Sequence, residues 1–133
     1  HVIGIKEASS DMSRVYAMLE RYGNRYQVIC GSDDQALDYF LWGTTAWIGG
    51  AASCAPLQHH NVLEAALAND FVTARARMEK LMPLLRNVES GSYLQKVKVG
   101  CELLGIPVGV ARQPLLPLTA EDRAEFEKIF KSI

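Results

Sequence analysis

The stretch with the greatest capacity for chemistry is Val2-Ile3-Gly4-Ile5-Lys6-Glu7-Ala8-Ser9-Ser10. Apolar and small residues run directly into a lysine, an acid and small residues follow, and Asp11 opens a helical pattern. A β-branched run bounded in this way reads as a buried strand, with Lys6 at its carboxyl end. Lysine is rarely buried unless something pairs with it or uses it. Burial lowers an amine's pKa, and a neutral amine can attack a carbonyl to form a Schiff base. The other reading is a lysine at a strand exit that reaches solvent along its stem, which is common. Asp33 and Asp34 could be paired carboxylates, but their place between a strand and a helical pattern favours capping that helix. His59 and His60 are adjacent and so face different sides of a helix. A zinc pair on a helix wants i,i+4 spacing and a third ligand, so no metal is expected. The charges from Arg75 to Lys80 read as a solvated helix face. Arg112 is open between a subunit contact and a helix cap.

The elements that must hold Lys6 follow from the rest of the pattern. Asp11 is a plausible N-cap, Met12, Val15, Tyr16, Met18 and Leu19 keep helical spacing, and Gly23-Asn24 stops the helix. Tyr26 to Cys30 is a second short buried strand. Gly31-Ser32-Asp33-Asp34 turns into a helix that ends at Trp42-Gly43. Ala46 to Gly50 is a third strand with small residues at its carboxyl end. Three strand–helix units in a row imply a parallel sheet. Pro56 or Leu57 begins a third helix, Asn69-Asp70 interrupts it, and a long helix runs from about Phe71 to Val88. Pro83 predicts a kink or break at Met82. After Ser90-Gly91-Ser92, Leu94 to Leu104 is helical and is stopped by Gly105 with Pro107 beyond. Val108 to Leu118 is an extended crossing loop, and Thr119 caps the last helix with acids in its first turn.

Composition is that of an ordinary soluble domain: 133 residues, 49% hydrophobic and 22% charged. The net charge of −1 gives no nucleic-acid or membrane footprint. Cys30, Cys54 and Cys101 form no C-x-x-C pair and read as reduced core cysteines of a cytosolic protein. No long continuous apolar run and no signal peptide is visible. His1 is followed at once by strand residues, so the chain is expected to be a fragment, a cleavage product or a separate half of a larger barrel.

Gly4-Ile5-Lys6-Glu7-Ala8 resembles the Schiff-base lysine signature of the dihydrodipicolinate synthase/N-acetylneuraminate lyase family. Gly31-Ser32-Asp33-Asp34, Gly43 to Pro56 and Leu81-Met82-Pro83-Leu84 follow at that family's distances. The resemblance starts near the middle of the family pattern and covers nearly the whole chain. It implies the carboxyl-terminal half of a (β/α)8 TIM barrel, three βα units plus a helical C-terminal extension. A complete barrel needs roughly 250 residues, more than this chain has. The expected division is 1–68 for the βα units and 69–133 for the last barrel helix region and the extension, one structural domain incomplete without an N-terminal half.

The resemblance also assigns roles. Lys6 is the expected imine-forming catalytic residue for pyruvate or another 2-oxo acid. Gly31 lies close to the pocket, although a tight βα turn explains a glycine there nearly as well. The backbone of Ile48 lies against the bound keto acid. Gly49-Gly50-Ala51-Ala52-Ser53 departs from the Ser-Val-Thr-Ala-Asn type of run. The small residues are expected to widen the pocket or to let backbone amides approach an anion, with Gly49 as a substrate-binding position. Tyr93-Leu94-Gln95-Lys96-Val97-Lys98 stands where typical synthases show Asn-Pro-x-Pro-x-Lys, and only Lys98 fits cleanly. The general acid/base tyrosine and the carboxylate-binding threonines belong to the amino-terminal half, and Tyr16, Tyr22, Tyr26, Tyr39 and Tyr93 sit in patterns that do not match them.

The implied protein is a class I lyase of the dihydrodipicolinate synthase type, cytoplasmic, acting in lysine biosynthesis, with no cofactor. Its implied partners are a small 2-oxo acid substrate, the missing N-terminal half, and copies of itself in a dimer or tetramer. A sugar-acid aldolase, a hydratase-aldolase or an imino-acid deaminase of the same family stays open. So does a non-catalytic half-barrel binding module, against which the intact Lys6 signature argues.

Overall fold

Parallel pairing and strict alternation set the geometry of the site. The computed structural model describes residues 1–133. Strand β1 (Gly4–Glu7) pairs in parallel with β2 (Gln27–Cys30), and the register sets Lys6 beside Ile29 and Glu7 beside Cys30. Helix α1 (Met12–Tyr22) crosses between them. Asp11 caps it by accepting from the Ser13 N–H at 3.0 Å, which satisfies one of the free amides of the first turn. A short 3-10 turn (Asp33–Gln35) leads into α2 (Ala36–Leu41), which ends at Gly43 with φ +89°, a conformation that favours glycine.

The third strand expected over Ala46–Gly50 shrinks to one parallel bridge, Cys30 with Trp47. Its hydrogen bonds run from the Cys30 N–H to the Ala46 carbonyl and from the Ile48 N–H to the Cys30 carbonyl, each 2.9 Å. Pairing is one-sided within this chain. Past Ile48 the backbone bends into a second 3-10 turn (Ala51–Ser53).

Helices α3 (Pro56–Leu67), α4 (Phe71–Glu89), α5 (Tyr93–Leu103) and α6 (Ala120–Phe130) complete the chain. Asp70 caps α4 at the Thr73 N–H and Thr119 caps α6 at the Asp122 N–H. Helix α4 runs through Pro83 without the expected break. Met78, Leu81, Leu84, Leu85 and Val88 are all buried around it, and that packing outweighs the hydrogen bond that proline removes. The core continues through Val62, Ala66, Val97 and Phe126. Lys96 is buried too: its ammonium donates to the Asn87 carbonyl and, at 3.1 Å, to the Ser90 hydroxyl, tying α5 to the end of α4. No helix is long and apolar enough to cross a membrane.

The outward side of β1 is anchored by a buried carboxylate. Glu7 is 6% exposed and accepts from the Tyr39 hydroxyl at 2.7 Å and from the Ser9 N–H at 3.0 Å. Burial pushes its carboxyl up, but the bonds from Ser9 and Tyr39 and the charge of Arg14 outweigh it and hold the group below the ordinary 4.5. Burial and the Glu7 carboxylate push the Tyr39 phenol well up, so it stays a donor.

The buried strands expected from the β-branched run are not buried at their start. Val2 is 68% exposed and Ile3 83%. Their side chains and the free edge of β1 have no partner within the chain, which is an aggregation hazard. The isolated 133-residue chain is expected to self-associate, read by sedimentation velocity, and to give weak near-UV circular dichroism. A monodisperse, cooperatively melting monomer would contradict this.

Linkage at Glu7 gives a second expectation. The folded value lies below 4.5, so the unfolded chain binds more protons just below 4.5. The contribution to stability is complete above that pH and is lost as pH falls through the folded value. In a complete barrel containing these residues, Tyr39→Phe should cost about 1–3 kcal/mol near neutrality, because a buried acceptor loses its donor. The gap from wild type, followed by thermal melting, should narrow below pH 4.5. A gap that does not change with pH would show that the carboxylate form of Glu7 is not what Tyr39 stabilises.

Candidate active site

Partners in a parallel register share a face of the sheet, and neighbours along a strand alternate. Glu7, Cys30 and Trp47 therefore turn to the helices. Lys6, Ile29 and Ile48 turn to the opposite face, at the carboxyl ends of the strands. Gly31 continues that face. A Cβ built on it would lie 3.0 Å from Lys6 Cε, 2.6 Å from the Glu7 carbonyl oxygen and 2.9 Å from Ala8 Cβ. The bare α-carbon is thus what lets the Lys6 stem and the exit of β1 lie against β2. Of the residues singled out in the sequence, Lys6 and Gly31 lie against each other here, and Ile48 stands on the same face two strands from Lys6. Lys6 is exposed, and so is Ile48 at 53%. The burial anticipated for the amine is absent, because nothing in this chain covers the interior face.

Gly49 and Gly50 do not widen that space. A Cβ on Gly49 would fall 2.6 Å from Asp33 Oδ1 and 2.9 Å from the Trp47 indole nitrogen, on the helix side. A Cβ on Gly50 would overlap the Tyr93 hydroxyl, 1.0 Å away. Their missing side chains leave room for Asp33, Trp47 and Tyr93 of this chain.

Asp33 does not cap a helix. The residues preceding the 3-10 turn and α2, Ser32 and Gln35, make no side-chain cap bond either. The 3-10 turn carries Asp33 away from the free amides of α2, and its carboxylate goes where a buried donor needs it. It is 4% exposed and accepts from the Trp47 indole N–H at 2.9 Å and from the Ala51 N–H at 3.4 Å. It thereby clamps the turn after the third strand. Asp34 is exposed.

His59 packs against Trp47 with ring centroids 4.5 Å apart and the planes tilted by 44°, and its Nδ1 lies 2.8 Å from the Ala55 carbonyl. Burial lowers its pKa and favours the neutral ring. Burial also pushes the Cys30 thiol up to about 12 and the Cys54 thiol up to about 11, so neither is a nucleophile near neutrality. All three cysteines are free and buried.

Sequence reasoning missed Glu7, Tyr39, the real task of Asp33 and the placement of Tyr93. Glu7 was accessible from alternation, since the neighbour of an inward lysine must point outward. Tyr39 and Tyr93 gave no local signal, because their partners are far away in sequence.

The family model for the dihydrodipicolinate synthetase family matches residues 1–133. The 4-hydroxy-tetrahydrodipicolinate synthase of Exiguobacterium sibiricum is 32% identical over 99% of this chain and 45% of its own length. That of Pseudomonas aeruginosa is 35% identical over 90% of this chain and 40% of its own length. Among solved structures, dihydrodipicolinate synthase from Aquifex aeolicus superimposes with TM-score 0.90 at 25% identity, over 98% of this chain and 44% of that one. N-acetylneuraminate lyase from Proteus mirabilis gives 0.83 at 28%, over 97% and 44%. The chain spans less than half the length of these relatives. Its fold is the carboxyl-terminal half of a (β/α)8 barrel with a helical extension, and the chain belongs to the dihydrodipicolinate synthetase family.

Proposed function

We propose that, within a complete barrel, this chain supplies the Schiff-base lysine of a lyase acting on pyruvate or a related 2-oxo acid. The observation that carries the reading is Lys6 itself, on the interior face at the carboxyl end of β1, with its stem against the bare backbone of Gly31. Barrel enzymes place their sites at that end. The relatives are named as a synthase and a lyase, which supports the same choice.

The chemistry begins with attack of the Lys6 amine on the keto carbon and loss of water, giving a protonated imine. That imine withdraws electrons from the adjacent carbon, which gives up a proton and becomes an enamine. The enamine carbon forms a bond to the carbonyl or imine carbon of a second substrate, and the electron pair ends on that partner's oxygen or nitrogen, which takes a proton. Water then releases the product and restores the amine. Cleavage is the same sequence reversed. Gly31 gives the keto acid room beside the lysine, and the backbone of Ile48 forms the far wall. The groups that move protons and bind the carboxylate come from the other half of the barrel, and the whole assembles as a homo-oligomer in the cytoplasm. Synthesis of 4-hydroxy-tetrahydrodipicolinate, as in the relatives of that name, is the leading assignment.

The expected result is a borohydride-stable adduct on Lys6 when the complete barrel is treated with pyruvate, located by peptide mass analysis. Lys6→Arg should keep the fold and charge and lose the adduct. A label on another lysine, or none with any 2-oxo acid, would reject the reading.

A further inference from the structure

The third strand reaches the mouth on little support of its own. Its pairing within this chain is the single bridge at Cys30, closed by the two 2.9 Å hydrogen bonds on either side of Trp47. The next rung of that ladder would run from the Ser32 N–H to the Ile48 carbonyl, and it is not formed. Gly49 and Gly50 follow at once, and glycine has the most conformational freedom to lose. Pairing alone therefore leaves the position of Ile48 loosely set, although its backbone is the wall assigned to the keto acid.

A carboxylate from the neighbouring loop supplies what pairing does not. Buried Asp33 brackets Ile48: one oxygen accepts from the indole of the residue before it, Trp47, at 2.9 Å, and the other from the Ala51 N–H three residues after it, at 3.4 Å. The indole is itself held, packed against His59 and edge-on to Phe40. Gly49 leaves the room for this bond, since a Cβ there would lie 2.6 Å from Asp33 Oδ1 and 2.9 Å from the indole nitrogen. These contacts lie on the helix side of the strand, so Asp33 supports Ile48 from behind. In the sheet, the Ile48 N–H is bonded to the Cys30 carbonyl, and the next residue, Gly31, carries the Lys6 stem. The bracket thus sets where the wall stands relative to the lysine.

We propose that Asp33 is a positioning residue for the lyase: its carboxylate, straddling Ile48 through Trp47 and Ala51, holds the Ile48 backbone in place against the keto acid bound at Lys6. This rests on the functional reading above. Asp33 takes no part in the imine chemistry, so disturbing it weakens capture of the keto acid and leaves the reactivity of the lysine unchanged.

The test follows borohydride trapping of pyruvate on Lys6 in the complete barrel as pyruvate is varied, at a temperature where circular dichroism shows every variant folded. Asp33→Asn keeps the shape and one acceptor oxygen but loses the second. It should raise the half-saturating pyruvate concentration about threefold. Gly49→Ala keeps every hydrogen-bonding group and wedges the carboxylate from the indole, and it should raise that concentration about tenfold. In both variants the maximal trapping rate should stay within about twofold of the wild type, the pattern of lost binding rather than lost chemistry. The pH profile of trapping, which reports the Lys6 amine, should not move. A purely structural role would lower the melting temperature and leave half-saturation of the folded protein at the wild-type value. That result in both variants overturns the proposal while the functional reading stands. A wild type that forms no Lys6 adduct with any 2-oxo acid rejects the functional reading, and the proposal with it.

Discussion

A carboxylate withdrawn from water must be given donors, and at the exit of β1 that requirement decides which way the strand faces. Glu7 meets it through Tyr39 of α2 and the amide of Ser9. With Glu7 held toward the helices, the pleat leaves Lys6 no choice but the interior face. A slip of one residue would bury an ammonium on the helix-facing side beside Tyr39 and leave Glu7 stranded. The bond therefore specifies register as well as adding stability. Gly31 completes the arrangement from the next strand: its bare α-carbon lets the two strand exits approach closely enough for the lysine stem to lie along the backbone.

The third strand end is governed by a second buried carboxylate. Asp33 takes the Trp47 indole N–H and reaches the Ala51 amide, so the turn from Gly49 to Ser53 is fixed by a side chain from the neighbouring βα loop. Trp47 in turn lies on His59 of α3 and meets Phe40 of α2 edge-on. The helical extension then packs down through Gly100, where a Cβ would strike Cys54 at 2.6 Å, and brings Tyr93 over Gly50. Small residues in this chain thus serve close packing between layers, and polar residues tie one strand exit to the next.

The fold was legible in the sequence wherever a local rule governed it. Asp11 and Thr119 begin helices because each side chain satisfies a free amide, and Gly43 and Gly105 end them because their φ is positive. The β-branched run and the residues after it marked Lys6. Local rules failed where a distant partner decided. Asp33 looked like a cap until Trp47 claimed it. Gly49 and Gly50 looked like open space until Asp33 and Tyr93 filled it. Val2 and Ile3 looked buried because the pattern is that of a strand covered on both faces, while the cover lies outside these residues. Pro83 looked like a breaker, but the apolar face of α4 holds the helix through it.

The central claim is that the Glu7–Tyr39 bond orients Lys6 for chemistry. A double-mutant cycle on the rate of borohydride-trappable imine formation tests it most directly, with Glu7→Gln, Tyr39→Phe and the double variant in the complete barrel. If the bond aims the lysine, each single change slows trapping by about tenfold, close to 1.4 kcal/mol, and the double variant is no slower than the worse single one. If both single variants trap the keto acid at the wild-type rate while melting at lower temperature, the bond serves stability alone and the claim is wrong.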